Sequence, residues 1–186
     1  MVLHDFIKKI PNILTVSRIV IIPLVLICLY FQTKFSNQLA AILFIIAGIT
    51  DFFDGYLARA FESQSRLGRF LDPIADKLLV VACLVVLVHY ERAAILPTLA
   101  IICREILVSG LREFLAEINV SVPVSKTAKI KTGMQMLALV LLLLGEIGSG
   151  YHFVDILGSM LLWIAAALTL FTGYAYLQAG LKHMGQ

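Results

Sequence analysis

A chain of 186 residues that is 60% hydrophobic and only 15% charged, with a mean hydropathy of +0.95, carries more apolar surface than one soluble core conceals. This excludes an ordinary water-soluble domain or a nucleic-acid binder and makes the bilayer the expected solvent. The net charge of +3 acquires meaning only once its sides are assigned.

The chain opens on a short segment, residues 4–10, that mixes Phe6, Ile7 and Ile10 with Asp5, Lys8 and Lys9, as a helix lying in the membrane interface would. Six apolar runs follow, at about residues 10–30, 39–53, 70–88, 93–111, 134–144 and 153–177. A spanning helix needs about 20 mostly apolar residues, so the chain has room for roughly that many spans and little else. The first run resembles a secretory signal in following Lys8 and Lys9, but it is long, carries Arg18 and lacks a small-residue cleavage site, so it is read as a permanent helix. The second and fifth runs reach bilayer length only with the polar residues beside them, 51–59 and 128–133, which predicts helices continuing past the membrane surface. The expected fold is all-α: a polytopic membrane bundle of six transmembrane helices with a short N-terminal interfacial helix, residues 1–186 forming one membrane domain.

With six spans, both termini share a side. That side holds Lys8, Lys9, Arg59, Arg66, Arg69, Arg112, Lys126, Lys129, Lys131 and Lys182, against Lys34 and Arg92 on the other. The positive-inside rule makes the richer side cytoplasmic, so cytoplasmic termini are expected. Cys28, Cys83 and Cys103 lie in apolar stretches with no paired spacing, and the four histidines fall in separate segments. Neither a disulfide framework nor a zinc or histidine metal site is expected.

Four acids stand out where the second run meets the third. Asp51 and Asp54 are three residues apart, and Asp72 and Asp76 four apart, so on helices each pair shares one face and the two faces can converge. Charged groups within spans cost about 2.5–3.5 kcal/mol each on insertion scales, and mutual repulsion adds to this. Two divalent cations would neutralise the four carboxylates, and oxygen ligands without His or Cys favour Mg²⁺ or Mn²⁺ over zinc. Such a pair binds a diphosphate and steadies an in-line displacement. Gly55 beside Asp54 lets a ligand approach the helix backbone, Ala58 keeps the next turn shallow, Arg59 can meet a phosphate, Gly68 opens space, and Pro73 suits a first helical turn.

The run from Asp51 to Asp76 reads D-x-x-D-G-x-x-A-R, eight residues, then G-x-x-x-D-x-x-x-D. It resembles, without departure, the signature of the CDP-alcohol phosphotransferase family. That resemblance implies two metal ions on Asp51, Asp54, Asp72 and Asp76, with Asp76 also the general base. It implies nucleotide contacts from Asp54, Gly55, Ala58, Arg59 and Gly68. Flanking patterns extend it along the chain: Pro11-Asn12 with Thr15 and Arg18, Arg104-Glu105 with Leu111-Arg112-Glu113, and Lys126, Lys129, Lys131, Thr132 and Gln135. These resemble the bacterial branch of the family that makes phosphatidylglycerol phosphate, which implies CDP-diacylglycerol as donor, sn-glycerol 3-phosphate as acceptor, the lipids of a bacterial inner membrane as surroundings, an active site on the cytoplasmic side and a homodimer as assembly.

Plainer accounts exist for each group. The aspartates as helix caps or ion pairs with Arg59, Arg66 and Arg69 leave four carboxylates at these spacings unexplained. A channel or transporter would disperse its acids along a path through several helices, whereas both pairs lie at one end. A non-catalytic nucleotide-binding module is set apart by testing activity with CDP-diacylglycerol. The same signature serves other acceptors, namely inositol phosphate, inositol, serine or phosphatidylglycerol. Asn12, Thr15 and Arg18 either cap and snorkel the first helix or contact a nucleotide or lipid phosphate. Arg104, inside the fourth run, either binds the acceptor phosphate with Arg112 and Lys126 or pairs with Glu105 or Asp76. Lys129 and Lys131 either face anionic lipid or touch substrate.

Overall fold

Among the described residues, six helices follow one another in the order of the six apolar runs: α1 (Val2–Phe31), α2 (Lys34–Phe61), α3 (Arg66–His89), α4 (Ile95–Glu117), α5 (Lys126–Ser149) and α6 (His152–Met184). The computed structural model describes the backbone of residues 2–61, 66–117 and 126–184. It describes side chains over 17–50, 74–75, 77–115, 127, 129–174 and 176–178. Helix is the physical default here, because backbone N–H and C=O groups in hydrocarbon have no water to bond and must be satisfied within the segment.

The expected extensions are present. α2 runs 28 residues, about 42 Å at 1.5 Å per residue, and carries the 51–59 stretch as one continuous helix; α5 likewise begins at Lys126. One expectation is corrected. Residues 4–10 form no separate interfacial helix but are the first turns of α1, because Pro11 withholds one backbone donor without ending the helix.

Outward faces are as apolar as the core. Val20, Leu24 and Ile27 on α1, Ile42, Ile46 and Ile49 on α2, and Leu96, Leu99, Ile106 and Leu107 on α4 are all exposed. A water-soluble surface seldom carries such contiguous patches, whereas lipid accepts them. Among the described residues, Lys129–Ser149 and His152–Gln178 are each long and apolar enough to cross a membrane, and Ser17–Phe31, Lys34–Thr50 and Lys77–His89 are shorter apolar helices. The chain is thus a membrane protein built as an all-α bundle. Between helices in lipid, close packing replaces the hydrophobic effect as the cohesive force, and small residues permit it. Ala40, Phe44 and Ala47 recur at helical spacing on the buried face of α2, and Ala138 with Leu142 on α5 and Leu162 with Ala166 on α6 do the same. α6 packs most extensively on α5, and α2 on α1 and α5.

The end of the bundle away from the aspartates is fastened by polar contacts. Thr33 and Ser36 cap α2 reciprocally: the Ser36 amide donates to Thr33 Oγ1 at 3.1 Å and the Thr33 amide to Ser36 Oγ at 3.0 Å. Arg92, between α3 and α4, donates to Asn37 Oδ1 at 2.9 Å and to the Leu143 carbonyl at 3.4 Å, and lies 3.8 Å from Asp155 Oδ1. Burial pulls the Arg92 pKa down and Asp155 pulls it up. The guanidinium fits because α5 breaks at Gly145, whose φ of 54° and ψ of −167° belong to glycine. A Cβ there would stand 1.7 Å from Arg92 Nη2. Gly145→Ala is therefore expected to destabilise the bundle by about 1–3 kcal/mol from backbone strain alone, with further loss from displacing Arg92. An unchanged melting temperature in detergent would show that this junction is not a structural fastening.

Candidate functional site

Opposite that fastened end, the second half of α4 and the first half of α5 bring polar residues into an otherwise apolar bundle. A cavity of about 700 Å³ lies between α3, α4 and α5, with Tyr176 of α6 also on its wall. This is within the range of small-molecule sites, roughly 300–1,000 Å³. Its described lining contains five cations, Lys77, Arg104, Arg112, Lys129 and Lys131, against one acid, Glu105. Placing so many charges at this depth is costly, and the surplus is positive. The chemistry such a lining favours is the binding of a multiply charged anion, a phosphate above all.

The cations differ in their commitments. Arg104 Nη1 donates to Glu105 Oε1 at 3.2 Å and Nη2 to Thr172 Oγ1 on α6 at 3.3 Å. Its stem crosses α6 closely enough that a Cβ on Gly173 would sit 2.8 Å from Arg104 Cγ, so the absence of a side chain at Gly173 admits the arginine. Lys131, only 3% exposed, also ion-pairs with Glu105 Oε1. Lys77 donates to Ser109 Oγ on α4, tying α3 to α4 beside the cavity. Arg112 and Lys129 are exposed, which leaves them the accessible cations of the lining.

Of the residues singled out in the sequence, Arg104 and Arg112 are thus brought together on one cavity. Both accounts of Arg104 apply, since it pairs with Glu105 and lines the cavity at once. Asp51, Asp54, Gly55, Ala58 and Arg59 fall in the last part of α2, Gly68, Asp72 and Asp76 in the first turns of α3, Asn12 and Thr15 in α1, and Lys126 at the start of α5. Their side chains lie outside the described residues. Position 76 immediately precedes Lys77 and heads the i,i+4 row that continues to Val80, both cavity-lining. Arg18 does not snorkel; it is buried in the bundle at 1% exposure. Among the described residues no cluster of three or more His, Cys, Asp and Glu could hold a metal, and the four aspartates lie outside them. Their all-oxygen donor set fits a hard divalent ion.

Lys77 was not singled out in the sequence, and its only signal there is a cation one residue past the last aspartate. Gln135 entered only as part of a longer pattern, and Glu105 only as part of one and as an alternative partner of Arg104. What makes them site residues is that α3, α4 and α5 face one cavity.

The family model for CDP-alcohol phosphatidyltransferase matches residues 8–171. The chain belongs to the CDP-alcohol phosphatidyltransferase family. It is 49% identical, over 95% of its length and 97% of the relative's, to a Rickettsia felis protein named CDP-diacylglycerol–glycerol-3-phosphate 3-phosphatidyltransferase. Proteins of the same name from Rickettsia typhi and Haemophilus influenzae are 50% and 40% identical, over 92% and 91% of this chain and 97% and 92% of theirs. Matches of this extent cover the CDP-alcohol phosphatidyltransferase signature and the cavity residues of α4 and α5 together.

Proposed function

We propose that this enzyme transfers the phosphatidyl group of CDP-diacylglycerol to sn-glycerol 3-phosphate, giving phosphatidylglycerol phosphate and CMP. The observation that carries the reading is the cation-lined cavity beginning one residue after Asp76. It suits an acceptor that brings its own phosphate, as the relatives' names require, and an uncharged alcohol such as inositol would not need it.

Members of the family generally depend on divalent metal ions. Asp51, Asp54, Asp72 and Asp76 would hold two of them, Mg²⁺ or Mn²⁺, which when bound supply positive charge for the diphosphate of the donor. Gly55, Ala58, Arg59 and Gly68, with Asn12 and Thr15, make up the nucleotide side of the site. Arg112 and Lys129, with Lys126 beside them, attract the acceptor phosphate, and Arg104 and Lys131 keep the deeper wall positive. Asp76 takes the proton of the acceptor's 1-hydroxyl. That oxygen forms a bond to the phosphorus nearest the diacylglycerol, the bond from this phosphorus to the bridging oxygen breaks, and CMP departs with the electron pair.

The side richer in Lys and Arg would face the cytoplasm, with the donor entering from the inner leaflet and its tails in lipid. Six spans, one membrane domain and a homodimer complete the proposal. Purified protein given CDP-diacylglycerol, Mg²⁺ or Mn²⁺ and a panel of acceptors is expected to release CMP fastest with glycerol 3-phosphate. Faster release with inositol phosphate, inositol, serine or phosphatidylglycerol would reassign the acceptor within the same chemistry.

A further inference from the structure

The cavity's cations explain how a phosphate is held, but two of its lining groups are oxygen acceptors that no phosphate satisfies. Glu105, 20% exposed, receives both of its bonds, from Arg104 and from Lys131, on Oε1, and among the described residues Oε2 has no donor. Gln135, one turn beyond Lys131 on α5, is 4% exposed, and its Oε1 is buried without a hydrogen-bond partner. A buried acceptor left unpaired is a standing cost, which Gln135 Oε1 bears, while Glu105, partly exposed on the same cavity, leaves Oε2 open to a donor. Phosphate oxygens repel them. Hydroxyl groups, which donate, suit both.

We propose that Glu105 Oε2 and Gln135 Oε1 form a hydroxyl-reading subsite that selects a phosphorylated vicinal diol over a phosphorylated simple alcohol. This rests on the function proposed above. There the 1-hydroxyl of glycerol 3-phosphate is the nucleophile and its phosphate meets the exposed cations, so the 2-hydroxyl between them is the group left for these acceptors. Glu105 then has a double task. Oε1 fixes Arg104 and Lys131 in place, and Oε2 contacts the substrate. A site built to bond a hydroxyl rejects the analogue lacking it, because its own buried polar groups are then stranded.

The test compares glycerol 3-phosphate with 3-hydroxypropyl phosphate, which keeps the phosphate and the primary hydroxyl and lacks only the 2-hydroxyl. The wild-type enzyme is expected to favour glycerol 3-phosphate in kcat/KM by on the order of 10- to 100-fold, the worth of a hydrogen bond to a charged or buried acceptor. Gln135→Leu, close in size and leaving the Glu105 ion pairs intact, should bring that ratio toward one, and Glu105→Ala should do so further. A merely structural role would slow both substrates alike and leave the ratio unchanged. Equal use of the two substrates by the wild-type enzyme overturns the subsite with no variant needed, as does an unchanged ratio in Gln135→Leu. Absence of CMP release with glycerol 3-phosphate altogether would overturn the proposed function as well.

Discussion

Replacing Asp76 by Asn is expected to leave CDP-diacylglycerol binding in place while turnover falls by roughly 10²-fold or more, the usual worth of a positioned general base. The carboxamide keeps the size of the side chain and removes its capacity to take a proton. Asp51→Asn and Asp72→Asn should behave differently. Each removes a carboxylate from an all-oxygen donor set, and activity should vanish at metal concentrations that saturate the wild-type enzyme and return only with excess Mg²⁺ or Mn²⁺, with the bundle still folded. The distinction is read by titrating metal: a variant rescued by excess metal has lost affinity, and one that stays slow at saturation has lost the base. Near-normal turnover in Asp76→Asn would move the base elsewhere, and activity persisting in EDTA-stripped enzyme would remove the metals from the account.

Arg112→Ala is expected to raise the KM for glycerol 3-phosphate by about tenfold, at the lower end for a charge-assisted phosphate contact because the site is exposed and screened. The KM for CDP-diacylglycerol should stay near its wild-type value. Arg104→Ala should produce a different pattern. Arg104 holds Glu105 Oε1 and Thr172, so its removal loosens the deep wall, and kcat should fall along with acceptor affinity. Saturation kinetics in each substrate separate the two patterns. An Arg112→Ala enzyme whose acceptor KM is unmoved would place the phosphate elsewhere in the cavity.

Much of the architecture was legible in the sequence because the bilayer allows so few solutions. Runs of apolar residues became helices in the expected order, and the polar stretches beside the second and fifth runs extended those helices, since nothing in 51–59 or 128–133 ends one. Less legible was what depends on helices meeting. Lys131 resembles any membrane-surface lysine in the sequence, yet in the bundle it is buried beside the cavity and paired with Glu105 of α4. Arg92 counted only as one of two cations on the poorer side, and its role as a fastening follows from the break at Gly145, a backbone state no periodicity announces. Residues 4–10 were misjudged for a related reason. Their amphipathic mixture marks where a helix lies but not whether it is joined to the next one. The four aspartates are conspicuous because their spacing and charge stand out in the sequence whatever surrounds them.

The central claim, that a phosphatidyl group moves from CDP-diacylglycerol onto glycerol 3-phosphate, is tested most directly by following the acceptor. Purified enzyme in detergent, with CDP-diacylglycerol, Mn²⁺ or Mg²⁺ and radiolabelled sn-glycerol 3-phosphate, should carry the label into the lipid extract in step with CMP release, one for one, and should stop when EDTA is added. Label that stays in the aqueous phase while CMP is released would contradict the account.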